Sequence, residues 1–327
     1  MDDKATGGNV AKRRVVLIHD AAVDEYISTM LLTLMPDVEL AGVIIVNADC
    51  IAQPALDAAS KLQQFLGKPE IPIALSQARG WNAFPWSYRG DCVNFGKIAS
   101  LAAYKSKIKS PPPSGEELLV HLLEDAVRTE RRMTLLMTGP LTPLTDVLGK
   151  RRELAEGIET LVWMGGAINV AGNLDPTTIN PVVANKHAEW NAFWDPFAVD
   201  LAFEICPSIN LFPLDITNSS KLTKQFRSSL KMQGKTSRYS QLAYEGYELV
   251  KKETFYDMWD VTATYWLHDP GVYTAAVPKR LKIETWGFNQ GWIQVDRSRA
   301  STRNRANVFL TFANLSAFYS GVLNLLA

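Results

Sequence analysis

Apolar residues follow two rhythms along the chain. Short unbroken runs alternate with longer stretches in which apolar positions recur every three or four residues. Residues 14–19 (RVVLIH) form a β-branched run that predicts a buried strand. Residues 24–34 then place Ile27, Met30, Leu31 and Leu34 on one helical stripe. The same succession continues with a strand at 38–46, a helix at 51–66 and a strand at 71–75. A long irregular stretch, 78–113, is rich in aromatics, Pro and Gly. Order resumes with a helix at 115–128, a strand at 133–137, a helix near 141–148 and a strand at 160–164. A second long loop, 165–191, precedes a helix starting at Asp195, a strand at 209–213 and a helical region over 222–252. The tail mixes a helix around 261–267, β segments near 280–286, 292–296 and 307–312, and a closing helix after Leu315.

Continuously apolar strands alternating with amphipathic helices predict an α/β fold, a mostly parallel central sheet flanked by helices on both faces. Extra β segments and helices are expected towards the C-terminus. Residues 13–327 read as one domain after a disordered leader, residues 1–12. Ligands of such sheets sit beyond the C-terminal ends of the strands, so Asp20, Asp49, Thr138 and Gly165 are the positions to inspect.

Charge narrows the function classes. Thirty-four Lys plus Arg balance thirty-four Asp plus Glu, so no excess positive field is available for nucleic acid. No stretch reaches the roughly 18 apolar residues of a membrane span, and residues 1–14 lack the apolar core of a signal peptide. Three scattered cysteines, Cys50, Cys92 and Cys206, form neither a disulfide framework nor a thiolate zinc site. The expectation is a reduced, cytoplasmic, globular protein.

The strand ends are acidic. Asp20 closes the first strand, Asp24 and Glu25 follow at the next helix start, and Asp49 closes the second strand. Carboxylates converging on one edge repel one another unless a cation compensates them, and Ca²⁺ accepts such oxygen ligands flexibly. The plainer reading is local: Asp24 suits an N-cap and Glu25 the first helical turn. Dinucleotide binding fails for want of G-x-G-x-x-G after the first strand. An aspartyl-phosphatase reading fails because Ile18 occupies its nucleophile position.

Five segments carry a resemblance: residues 16–25 (VLIHDAAVDE) with 47–50 (NADC); 137–142 (MTGPLT); 163–167 (WMGGA) followed by Gly172-Asn173; 189–191 (EWN) with 194–196 (WDP); and Trp259-Asp260. Taken in order, they resemble the calcium-dependent nucleoside hydrolases, and the resemblance implies the Rossmann-like fold of that family. It further implies that Asp20 ligates Ca²⁺ and deprotonates the attacking water. Glu25 and Asp260 would ligate through carboxylates and Thr138 through its carbonyl. Asp24, Asn173, Glu189 and Asn191 would hold the ribose, Asp49 would approach the base, and Trp259 would stack on it as in the purine-preferring branch. The chemistry suits these residue types: an oxocarbenium-like sugar needs an activated water, nearby negative charge and help for the departing base. Stacking on Trp259 would favour a cationic purine.

The aromatic loop 81–89 offers Tyr88 or Trp86 for the other face of that stack, and Tyr247, Tyr256 and Arg227 as weaker candidates for closing the site. His121 and His268 are assigned no catalytic task. The chain also departs from the family fingerprint: Ile18 replaces its first aspartate, Ala21 and Ala22 its loop residues, and Glu25 a metal-binding aspartate. The resulting expectation is a purine nucleoside hydrolase that takes inosine and guanosine, with a small-molecule ribonucleoside as partner. The alternative is a nucleoside-binding protein of the same fold with weak or no turnover, favoured by Ala22 and Glu25. Family habit adds a homo-oligomer, dimer or tetramer.

Overall fold

The computed structural model describes residues 12–86, 89–108, 110–174, 180, 185–253, 256–298 and 305–327. The expected leader, apart from Lys12, and the candidate Tyr88 lie outside them.

The strands are β1 (Arg13–His19), β2 (Val38–Ile45), β3 (Ile73–Leu75), β4 (Met133–Met137), β5 (Ile158–Met164), β6 (Ile209–Phe212), β7 (Val277–Ile283), β8 (Ile293–Val295) and β9 (Arg305–Val308). They form one sheet in the order β3-β2-β1-β4-β5-β6-β9-β7-β8. From β3 to β9 every neighbour runs parallel; β7 returns antiparallel to both β9 and β8. The expected mostly parallel sheet with added C-terminal β segments is therefore what the chain builds. Its first six strands follow the doubly wound order 3-2-1-4-5-6, which reverses between β1 and β4. Ile18 pairs with Met137 across that junction, so Asp20 and Thr138 emerge side by side at its C-terminal end. A ligand cleft belongs there.

Both sheet faces are apolar because both are covered. Val15 and Leu17 of β1 enter one core, while Val16 and Ile18, pointing the other way, enter the second. The helices are α1 (Val23–Leu34), α2 (Ala52–Leu66), α3 (Asp91–Phe95), α4 (Gly115–Thr129), α5 (Thr142–Leu148), α6 (Trp190–Trp194), α7 (Pro196–Ile205), α8 (Leu214–Thr217), α9 (Lys224–Gln233), α10 (Arg238–Leu249), α11 (Trp259–Tyr265) and α12 (Leu315–Leu325). The core holding Val15 and Leu17 takes residues from α1, α2, α10, α11 and α12; the other takes residues from α4, α5 and α7. Ile18 is fully buried in this second core.

Two segments differ from expectation. The stretch 78–113 contains the short helix α3, and the helix expected at Asp195 is preceded by α6. Asp195 separates the two: its carboxylate accepts from the Ala198 N–H, and Pro196 opens α7 where its missing N–H costs nothing. The Thr142 hydroxyl donates to the other Asp195 oxygen at 2.9 Å, which ties the 137–142 segment to the 194–196 segment.

Candidate active site

Beyond the β1/β4 junction lies a cavity of about 490 Å³, within the range of small-molecule sites. Its walls include Asp20, Asp49, Thr138, Asn173, Glu189, Asn191, Trp259 and Asp260. Eight of the residues singled out in the sequence thus meet in one place, although their positions span 240 residues.

Backbone economy explains how they meet. Asp20 is 5% exposed and lies against Gly139, where an added Cβ would stand 3.3 Å from the Asp20 carboxyl carbon. A side chain there would press on Asp20, so glycine suits the turn that follows β4. The Gly166 backbone is left-handed (φ 77°), which turns its N–H towards Glu189 at 2.7 Å. Glu189 caps α6 as well, accepting from the N–H groups of Asn191 and Ala192. The Asn191 amide donates to the carbonyls of Thr138 and Met164, and the Asn173 oxygen accepts from the Trp190 N–H.

Asp260 arrives from the far end of the chain through α1. Asp24 is fully buried; one of its oxygens accepts from the backbone N–H groups of Asp260 (2.7 Å) and Val261 (2.9 Å), the other from the Tyr247 hydroxyl (2.6 Å). This carboxylate caps α11 and so brings Asp260 alongside Asp20. Asp24 is therefore not brought to the cavity wall expected of a ribose ligand, nor is it the N-cap of α1, a position that Ala22 takes.

Four further expectations are redirected. Glu25 does not line the cavity; it is buried with its carboxylate turned to the backbone and to the Thr138 hydroxyl. Trp86 is 69% exposed under the Arg89 guanidinium, and the same loop sends Phe84 to the cavity instead, tilted against Trp190 at 4.8 Å. Tyr247 is fully buried on Asp24, and Arg227 pairs with Glu248, so neither stands at the mouth. Tyr256 does line the cavity, 4.9 Å from Trp259. Asp91, Glu253, Asp257 and Lys221 are wall residues that sequence reasoning missed. Nothing short of the fold signals them, because their helices and loops meet only in three dimensions.

The electrostatics are those of acids held apart from water. Burial, with Glu25 and other carboxyls close by, pushes the Asp20 and Asp260 carboxyls well above their ordinary range. Burial raises Asp49 in the same way, with Asp20 its nearest charged neighbour, and lifts Glu189 and Glu253 to about 7. His19, buried behind the loop, is driven down to about 3, so it stays neutral and accepts the Ala21 N–H.

Among the described residues, no three Asp, Glu, His or Cys side chains converge as a ligand set. The oxygens of Asp20 and Asp260 and the Thr138 carbonyl nonetheless suit a hard cation. Among the described residues, no hydrogen-bond donor reaches the Asp260 carboxylate, although the residue is only 6% exposed. Asp20 and Asp260 both open onto the cavity, so a bound cation would offset the mutual repulsion that raises their carboxyls.

The family model described as inosine-uridine preferring nucleoside hydrolase matches residues 15–320. A solved nucleoside hydrolase of that description from Bacillus anthracis is 30% identical, with a TM-score of 0.84 over 96% of this chain and 98% of that one. A purine-preferring ribonucleoside hydrolase from Gardnerella vaginalis shares the fold at 18% identity, with a TM-score of 0.77 over 96% and 99% of the two chains. The non-specific ribonucleoside hydrolase of Escherichia coli (strain SE11) is 25% identical over 283 residues, 86% of this chain and 88% of that one. No helix among the described residues is long and apolar enough to cross a membrane. With the sheet order, the cavity at its switch point and these matches together, the chain belongs to the inosine-uridine preferring nucleoside hydrolase family.

Proposed function

We propose that the chain hydrolyses the N-glycosidic bond of purine ribonucleosides, inosine and guanosine among them, releasing free base and ribose with the help of bound Ca²⁺. One observation carries the reading: two buried acids from opposite ends of the chain, Asp20 and Asp260, line a single cavity with the amide-bearing residues Asn173 and Asn191 and the aromatic residue Trp259.

Asp20 acts as the general base. It sits at the end of β1, held from below by Gly139 and by the bond from its own N–H to Glu25. Asp20, Asp260 and the Thr138 carbonyl would hold Ca²⁺, which would supply positive charge to keep both carboxyls ionised and to acidify a water. Asp20 then accepts the proton of that water as it adds to the sugar carbon. Asn173, Glu189 and Asn191 orient the ribose; each is already fixed by a backbone bond, so little ordering remains to be done on binding. The Trp259 and Tyr256 rings stack on the base, and the negative field of Asp49 favours its protonated, departing form. Paired aromatic rings favour the larger purine face. A cytoplasmic, homo-oligomeric enzyme is the setting this reading assumes.

A reducing-sugar assay tests it. Ribose release from inosine should need Ca²⁺, stop with chelator and exceed release from uridine. Asp20→Ala should lower kcat by about 10³-fold or more, on the scale of a lost general base together with its electrostatics. No ribose at high enzyme concentration, with nucleoside binding intact, would select the binding-protein reading instead.

A further inference from the structure

Glu25 occupies a position at which the family carries a metal-binding aspartate, yet its carboxylate is spent elsewhere. One oxygen accepts from the Asp20 N–H at 3.0 Å and the Thr138 hydroxyl at 2.7 Å; the other accepts from the Ala22 N–H at 2.6 Å. The residue is fully buried and does not line the cavity. These bonds have a local cause. Ala22 is the N-cap of α1 and has no side-chain oxygen, so the usual acceptor for the helix start is missing. A glutamate three residues on reaches back to the N-cap N–H, which is one half of a capping box, and aspartate is a methylene too short for the same reach. The loop so closed contains Ala21 in a left-handed conformation (φ 67°), which a side chain adopts only when its surroundings hold it. The same carboxylate also stands within hydrogen-bonding reach of the Asp20 carboxyl, so Glu25 braces Asp20 through both its backbone N–H and its side chain.

We propose that Glu25 is a positioning residue: it fixes Asp20 and Thr138 through the loop, and the cation is held by two carboxylates, Asp20 and Asp260, with the Thr138 carbonyl. This rests on the cation reading given under Proposed function. Calcium affinity alone does not decide it, because residues that support a ligand also change metal affinity, typically about 10–100-fold. The number of water molecules on the cation does. Terbium(III) bound to the full chain, with luminescence lifetimes compared in H₂O and D₂O, should gain about one water when Asp20→Ala or Asp260→Ala removes a ligand oxygen, and none in Glu25→Gln. Amide exchange on the unsubstituted protein gives a second readout that needs no variant to fold. The Asp20 and Ala22 N–H groups should remain equally protected with and without Ca²⁺, since Glu25 keeps them. A water gained in Glu25→Gln, or Ca²⁺ releasing those two amides to fast exchange, overturns the positioning role while leaving the cation site standing. No uptake of Ca²⁺ or terbium by the unsubstituted protein overturns both.

Discussion

Asp24→Ala is the perturbation that most directly separates holding the fold from holding the sugar. Its carboxylate serves three donors in a fully buried place: the N–H groups of Asp260 and Val261, and the Tyr247 hydroxyl. Each buried donor left without an acceptor costs about 1–3 kcal/mol. Three of them set a loss of about 3–9 kcal/mol, and relief of a buried charge pulls the sum towards the lower value. Against a total stability of about 5–15 kcal/mol, this is a severe loss. Asp24→Asn should be far milder. Its amide oxygen can still accept the two α11 N–H groups while its NH₂ donates to a rotated Tyr247 hydroxyl, so about 1 kcal/mol is expected. Urea unfolding measures both: with a slope of about 3 kcal/mol/M, Ala should lower the midpoint by about 1 M or more and Asn by about 0.3 M. Because α11 carries Asp260, turnover should fall with the loss of order, and Asn should keep most of it. An Ala variant as stable as the original, with kcat/KM for inosine down 100-fold or more, would show that Asp24 works on the substrate and that α11 is held by something else.

Other expectations follow from the same geometry. Gly139→Ala places a Cβ 3.3 Å from the Asp20 carboxyl carbon and from its backbone N, so Asp20 must move by a few tenths of an ångström; steady-state kinetics should show kcat down about tenfold with KM little changed. Trp259→Ala should raise KM for inosine about tenfold, on the scale of one lost base stack, whereas Trp86→Ala, at an exposed ring outside the cavity, should leave it within twofold. Metal-free protein should melt lower as pH rises. The Glu189 carboxyl is raised from 4.5 to about 7 by burial, so between those values the folded state holds a proton that the unfolded state has released, and its stabilising share is lost on passing pH 7. Calcium, which binds ionised carboxylates, should raise the melting temperature most above pH 7; thermal scans with chelator and with Ca²⁺ at pH 5, 6, 7 and 8 check both signs.

The sheet was legible in the sequence because its central strands are largely apolar runs, as in β1, β2 and β4. The strand ends followed, and with them Asp20, Asp49 and Thr138. Asp260 had no local signal: it lies 240 positions from Asp20, and only the resemblance singled it out. Asp24 and Glu25 lie off the cavity wall, and a carboxylate at a helix start reads alike whether it faces a ligand or a backbone N–H. Glu25 turns inward for want of an acceptor at Ala22, and Asp24 caps α11, a helix no local pattern places beside it. In the loop 81–89, hydrophobicity cannot tell the aromatic that lines the cavity, Phe84, from the exposed one, Trp86.

The claim that underlies the rest is that Asp20 and Asp260 share one cation beneath a bound ribose. An electron-density map of the protein with Ca²⁺ and a non-hydrolysable inosine analogue tests it most directly. The account predicts one cation within about 2.3–2.6 Å of an oxygen from each of Asp20, Asp260 and Thr138, with the sugar between it and Asn173. A nucleoside seated elsewhere, or a cation bound away from both acids, would contradict it.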